Sequence, residues 1–108
     1  MRKIEQEISD AVLNGCRFSG GNTVVATSNS KTECFLHGNK VFQLDRKTWK
    51  FKWSDCGWKT RTTASRLNAC FDAVHSLTDN NCHYNYKKRE VLDTSTFPHC
   101  CIMPSKNF

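Results

Sequence analysis

The sequence predicts an α+β fold, in which two helices pack on one face of a small antiparallel sheet of about four to six strands. Two apolar patterns of helical period predict the helices, and short alternating or β-branched runs between turn residues predict the strands. The length of 108 residues suits a single domain. We expect that domain to span residues 1–94 and residues 95–108, which contain Pro98 and Pro104, to form an irregular tail.

Apolar residues that recur every three or four positions predict both helices. An N-terminal helix is expected over Arg2–Asn14, with Gly15 as its stop and with an apolar stripe formed by Ile4, Ile8, Ala11 and Val12. A central helix is expected over about residues 63–77, with Thr62 or Thr63 as its N-cap. Its apolar stripe consists of Leu67, Cys70, Phe71, Val74 and Leu77.

The strands are predicted from short runs between turn residues. These runs are Thr23–Thr27, Glu33–His37, Lys40–Leu44, Thr48–Ser54, Cys82–Lys87 and Arg89–Thr94. Gly38-Asn39 predicts a tight hairpin turn, because both residues adopt positive φ readily. Cys16–Asn22, which contains Gly20-Gly21, is expected to be a turn or a flexible joint.

Thr48–Ser54 has the clearest strand pattern, because its aromatic residues alternate strictly with polar ones. Interleaved aromatic and basic residues are typical of a sheet that binds single-stranded nucleic acid. Alternation nevertheless places rings and lysines on opposite faces, and a chain this short needs its aromatic side chains inside. We therefore expect Trp49, Phe51 and Trp53 in the core, with Lys50 and Lys52 exposed for phosphate contacts that read no bases.

The formal net charge of +6 is concentrated between Lys40 and Arg66, a segment with eight lysine and arginine residues but two aspartates. A one-sided field of this kind attracts polyanions. The segment ends where the central helix is expected to begin, and the free N–H groups of a helix start favour an anion. Trp58–Arg66 adds cations and hydroxyl groups at the same place. An N-cap with surplus hydroxyl groups is the simpler alternative. The residues predicted to bind phosphate or an acidic partner are Lys50, Lys52, Lys59, Arg61, Thr62, Thr63, Ser65 and Arg66.

The seven cysteines favour neither disulfides nor metal binding. Their number is odd, no export signal precedes them, and no C-x-x-C pair offers the ligand spacing of a zinc site. The nearest fragments are Cys34-x-x-His37, Cys82-His83 and His99-Cys100-Cys101. We expect reduced, buried thiols and neither metal nor cofactor, and a small zinc-binding domain is the weaker alternative.

The sequence also predicts that the protein is not an enzyme. The nominal Cys34/His37 and Cys70/His75 pairs have neither a strand-turn-helix setting for a nucleophile nor a glycine-rich oxyanion loop. No phosphate-binding glycine motif, carboxylate-rich metal cluster or dinucleotide fingerprint occurs.

Two motifs resemble a pattern in small bacteriophage accessory proteins, namely an L-H-G-N hairpin followed by G-W-x-T-x-T-T-x-S-R-L-N-A at a helix start. They are Leu36–Val41 and Gly57–Ala69, and the resemblance also includes the Ile4-Glu5 helix and Gly21-Asn22-Thr23. It covers roughly residues 4–69, whereas the cysteines and the tail after Thr94 depart from the pattern. The resemblance implies a phage origin and an accessory role in the infected cell, and it brings no established catalytic residues.

We therefore predict a non-enzymatic phage accessory protein that binds nucleic acid, or a host complex that handles nucleic acid, through the basic surface of Lys40–Arg66. The alternative is a protein-directed inhibitor of a host defence or enzyme complex, such as a CRISPR effector, a nuclease or a polymerase. No apolar run is long enough to span a membrane, so we expect no membrane partner and a location in the host cell cytoplasm. A homodimer through paired sheet edges is a further option, and the sequence leaves the oligomeric state open.

Overall fold

A computed structural model of the chain describes residues 3–54, 60–78, 82–85, 87–88 and 90–93. It confirms the α+β fold, with a five-stranded antiparallel sheet, two helices packed against it and each other, and a separate two-stranded hairpin. The helices are α1 (Lys3–Asn14) and α2 (Arg61–Thr78). The strands are β1 (Phe18–Gly20), β2 (Thr23–Ser28), β3 (Lys31–Leu36), β4 (Asn39–Asp45), β5 (Phe51–Trp53), β6 (Cys82–Asn85) and β7 (Glu90–Asp93). The tail predicted for residues 95–108 lies outside the described residues.

Strands β1 to β5 form a meander in which each strand pairs with the next one along the chain. The β3–β4 turn is His37-Gly38, with φ of 52° and 80°, and Asn39 is already paired with Leu36. The predicted turn, Gly38-Asn39, is therefore shifted by one residue, although the required pair of positive φ angles is present. The sheet edges are β1 and β5, which have 3 residues each, and a homodimer through these edges stays a prediction.

The strand β1 replaces the joint that was predicted for Cys16–Asn22. Phe18 pairs with Val25 of β2, and its ring lies over Gly20, where an added Cβ would come within 2.7 Å of the ring. A larger residue at this position would have to displace the ring, because the ring occupies the space of a side chain. Three residues are too few to show an alternating pattern, so no periodicity revealed this strand.

Helix α1 ends as predicted at Gly15, whose φ is 68°. The N–H of Cys16 donates to the carbonyl of Ala11 at 2.9 Å, which is the hydrogen bond of a Schellman motif. The predicted stripe faces the core, since Ile8, Ala11 and Val12 are buried and Ile4 is half-buried.

Helix α2 begins earlier than the predicted N-cap. Thr60 is the N-cap, because its Oγ1 accepts the N–H of Thr63 at 3.2 Å and its carbonyl accepts the N–H of Ala64 at 3.1 Å. Neither Thr62 nor Thr63 is the cap, and both lie in the first turn of the helix. All three threonines suit an N-cap, so their spacing alone did not distinguish them.

Aromatic rings from both layers form the centre of the core. Phe42 of β4, Phe51 of β5 and Phe71 of α2 are fully buried, with ring centroids 5.8 to 6.1 Å apart. Trp53 is also buried and meets Tyr84 of β6 edge to face at 5.3 Å. The prediction that Phe51 and Trp53 lie in the core is therefore confirmed.

Trp49 does not lie in the core, and this prediction is wrong. β5 begins only at Phe51, because a turn after Asp45 takes up the preceding residues. Trp49 has a left-handed backbone, with φ of 61°, so the alternation of the strand does not extend to it. Its side chain is 37% exposed.

The hairpin β6–β7 is a second sheet that is held on α2. The side chain of Asn68 accepts the N–H of Tyr84 at 2.7 Å and donates to the carbonyl of Tyr84 at 3.2 Å. These are the backbone groups of β6 that a further strand would otherwise bind. One amide side chain thus takes the place of a neighbouring strand.

Candidate functional site

The face of the sheet away from the helices carries exposed lysines. Phe51 and Trp53 point into the core, so Lys52 between them points to the opposite face, where it is exposed. Lys52, Lys50 and Lys31 line a groove of ≈ 280 Å³, which we call the lysine groove. Its remaining lining residues are Gln43, Asp45 and Thr48.

The strand register brings these lysines together from two sides of β4. Lys52 of β5 lies opposite Gln43, and Lys31 of β3 lies opposite Asp45. The N–H of Asp45 donates to the carbonyl of Lys50 at 2.8 Å, so Lys50 continues this row across the sheet. Lys31 lies outside the basic segment of the sequence, and only the register of β3 with β4 places it in the groove.

Among the described residues that line the groove, Asp45 is the one carboxylate, and it is held in its charged form. Its Oδ1 accepts the N–H of Lys47 at 2.9 Å, and this bond lowers the pKa of the carboxyl below its ordinary value. The N–H of Thr48 and the charges of Lys31 and Lys47 lower the pKa further, whereas desolvation opposes them. The charge of Asp45 is thus opposed by four exposed lysines, Lys31, Lys47, Lys50 and Lys52, which leaves the surface basic.

Lys40, Arg46 and Arg66 of the basic segment have partners inside the protein. Lys40 forms an ion pair with Glu33 on the same sheet face. Arg46 donates to the carbonyls of Val12 and Leu13 at the end of α1, at 2.7 and 3.1 Å. These contacts stabilise the fold, so the charge of the segment overstates the charge that is available to a ligand.

The third of these cations, Arg66, is buried, with 8% of its surface exposed. Its guanidinium donates to Thr23 Oγ1 at 3.0 Å, to Ser65 Oγ at 2.9 Å and to Asn22 Oδ1 at 3.4 Å. The hydroxyl of Ser65 in turn donates to Glu5 of α1 at 2.6 Å. This network joins the first turns of α2 to α1 and to the β1–β2 turn.

The remaining residues predicted at the helix start differ in accessibility. Thr63 is fully buried and bonded to the N-cap threonine, whereas Arg61 and Thr62 are exposed. Thr62 lines a hollow together with His37 and Thr60. Lys59, which was predicted as a site residue, lies outside the described residues.

The structure separates the predicted site residues into two places. The hollow at the start of α2 includes Leu36, at one end of β3, whereas the lysine groove includes Lys31, at the other end of that strand. A strand of this length separates the two ends by about 17 Å. Lys50 and Lys52 therefore lie together, and Arg61 and Thr62 lie apart from them.

The cysteines for which the structure gives an environment are free thiols. Cys34, Cys70 and Cys82 are buried, and Cys16 is exposed. Burial raises the pKa of the Cys70 thiol well above its ordinary value, and a hydrogen bond with Cys34 raises it further. Among the residues that the structure describes, no three His, Cys, Asp or Glu side chains are grouped to hold a metal ion.

In both nominal Cys–His pairs the thiol is buried and the imidazole is exposed. The buried residues are Cys34 and Cys70, and the exposed ones are His37 and His75.

Within the described part of the chain, no helix is both long and apolar enough to cross a membrane.

The fold and its surface define a small α+β protein with a basic sheet face. By sequence the chain belongs to the family described as Kyanoviridae Gp96 protein, whose profile matches residues 1–97. It is therefore a phage protein, in agreement with the resemblance found in its motifs. No curated protein and no solved structure matches the chain. The name of the family states no activity, so the function has to be inferred from the surface.

Proposed function

We propose that this phage protein is a non-enzymatic accessory protein that binds nucleic acid through the lysine groove in the cytoplasm of the infected cell. The observation that carries the proposal is the convergence of Lys31, Lys50 and Lys52, from β3 and the β5 region, on one sheet face. An ammonium group on a flexible stem contacts phosphate as a point charge. Such contacts hold the backbone of a nucleic acid without reading its sequence.

The shape and the charge of the groove support a polymeric ligand. The groove crosses neighbouring strands on an exposed sheet face and is lined by three lysines, which suits an extended polyanionic chain. The charges of Lys31, Lys47 and Lys50 exceed that of Asp45, so the local field attracts a polyanion.

The helix start has a smaller part in this proposal. Arg61 and Thr62 are exposed and provide further phosphate contacts for a ligand that extends past the groove, together with Lys59. Thr63, Ser65 and Arg66 are buried, so they hold the start of α2 in place and do not touch the ligand.

The salt dependence of binding to a labelled DNA duplex tests the proposal by fluorescence anisotropy. Three lysine–phosphate contacts give a slope of log affinity against log salt of about −2.7, or a loss of about 40-fold between 50 and 200 mM salt. The double variant K50A/K52A removes two contacts and is expected to reduce the slope to about −0.9.

The double variant K87A/K88A is the matched control, because both lysines are exposed on the β6–β7 turn and the change in charge is the same. It is expected to keep the wild-type slope. A flat salt response of the wild type, or equal slopes for K50A/K52A and the control, contradicts the proposal.

A protein-directed inhibitor of a host defence or enzyme complex is the rival, and it uses the same lysines against an acidic protein groove. It predicts a stable complex with one host assembly and little affinity for free DNA. A pull-down from host lysate with and without nuclease separates the two functions. Partners that disappear on digestion favour nucleic acid, and a partner that remains and requires Lys50 and Lys52 favours the inhibitor.

A further inference from the structure

An exposed aromatic residue, Trp49, precedes β5 between two residues that line the lysine groove. Trp49 is 37% exposed, and among the described residues no other large hydrophobic side chain is exposed to this extent. Its neighbours in sequence, Thr48 and Lys50, both line the groove. Trp49 is therefore flanked in the sequence by two residues of the groove, just before β5 begins.

The backbone of the turn directs Trp49 away from the core. Its φ of 61° is left-handed, a conformation that is strained for a bulky residue. The N–H of Trp49 donates to the carbonyl of Asp45 at 2.8 Å, and the Asp45 carboxylate binds the N–H of Lys47 at 2.9 Å. The turn thus holds the ring outward at an energetic cost, which is characteristic of functional positions.

A fixed cation supports the ring. The guanidinium carbon of Arg46 lies 5.7 Å from the ring centroid of Trp49, within the range of a cation–π contact. Arg46 is itself held by the carbonyls of Val12 and Leu13, so the ring rests on an ordered partner. A ring that is already oriented loses little freedom when a second planar group stacks on it.

We infer that the ligand of the lysine groove is single-stranded nucleic acid and that Trp49 stacks on one of its bases while Lys31 and Lys50 contact the adjacent phosphates. This inference rests on the proposed function of the groove. In a duplex the bases already stack on each other, whereas the bases of a single strand are free to stack on an aromatic side chain. Stacking is tolerant of sequence, so it agrees with lysine contacts to phosphates, which read no bases.

The test compares two labelled single strands of about ten nucleotides, which is within the range of such sites. One is oligothymidylate and the other is an abasic oligomer with the same number of phosphates. The wild type is expected to bind oligothymidylate about 5- to 150-fold more tightly, the range that one stacked base provides. Trp49→Ala is expected to abolish this preference without changing the affinity for the abasic strand, and Trp49→Tyr, which keeps a ring, is expected to retain most of it.

The outcomes separate this inference from the proposed function. Equal, salt-dependent affinity of the wild type for both strands overturns stacking and leaves phosphate binding intact. No binding to either single strand overturns this inference, and it overturns the proposed function as well if the DNA duplex is not bound either. The affinities of the wild type for the two strands decide whether a base stacks, even if Trp49→Ala does not fold. A protein partner that survives nuclease treatment and requires Trp49, in the absence of binding to either strand, overturns the inference in favour of a protein interface.

Discussion

Replacing Arg46 by alanine is expected to lower the free energy of unfolding by about 3 kcal/mol, because this side chain caps a helix from a distant turn. Its guanidinium donates to the carbonyls of Val12 and Leu13, and also to the buried hydroxyl of Thr32 at 3.1 Å. The two bonds to carbonyls contribute about 1.5 kcal/mol each at the lower end of the range for charged donors, which is appropriate for a half-buried group. The favourable position of a cation at the end of α1 adds about 0.5 kcal/mol, and the ordering of the long side chain offsets a similar amount.

Chemical denaturation followed by circular dichroism measures this loss, and thermal unfolding is expected to show a decrease in Tm of about 13 °C for a chain of this size. Arg46→Lys keeps the charge but cannot span both carbonyls and Thr32, so it is expected to recover about half of the loss. Lys47→Ala is the matched control, because it removes the same charge from the next residue, which is exposed. The reasoning is refuted if Arg46→Ala and Lys47→Ala differ by less than about 0.5 kcal/mol.

Three further predictions concern Asp45, Asn68 and the thiols. The pKa of Asp45 is lowered from its ordinary value of 3.8, so its carboxylate stabilises the fold above that pH and this contribution is lost as the pH falls through the lowered folded-state pKa. In Asp45→Asn the denaturation midpoint is therefore expected to decrease less than in the wild type between about pH 5 and pH 2. The same decrease in the variant and the wild type contradicts this. Asn68→Ala removes both hydrogen bonds to the backbone of Tyr84, so we expect the free energy of unfolding to fall by about 2 kcal/mol and the amide of Tyr84 to exchange faster. Exchange of this amide at the wild-type rate would exclude the role of Asn68. Because the pKa of Cys70 is raised, alkylation of the native protein at about pH 9 followed by peptide mass mapping is expected to modify Cys16 and to spare Cys70, and equal labelling contradicts the burial of that thiol.

The helices were predictable because their signals are local. The stripe from Ile4 to Val12 and the one from Leu67 to Leu77 depend only on residues within the same helix, and Gly15 ends α1 through its own backbone. The strands β2 to β4 were predictable for the same reason. Sequence reasoning missed β1 because three residues carry no period.

The candidate site was less predictable, because it depends on contacts between residues that are distant in sequence. Lys31 joins the groove through the register of two strands, and Arg66 leaves the accessible surface because it contacts Asn22 and Thr23. Trp49 follows the alternating pattern in sequence but not in space, because the bonds of Asp45 bend the backbone before the strand begins. Charge and periodicity do not contain this information.

The order of the strands has a consequence for how the protein is made. Every pairing in the five-stranded sheet joins strands that are consecutive in the chain, so each pairing closes a short loop. All of these strands precede α2, so they leave the ribosome before α2 does. The rings of Phe42 and Phe51 remain without Phe71 until that helix emerges. Completion of the core therefore waits for the emergence of α2.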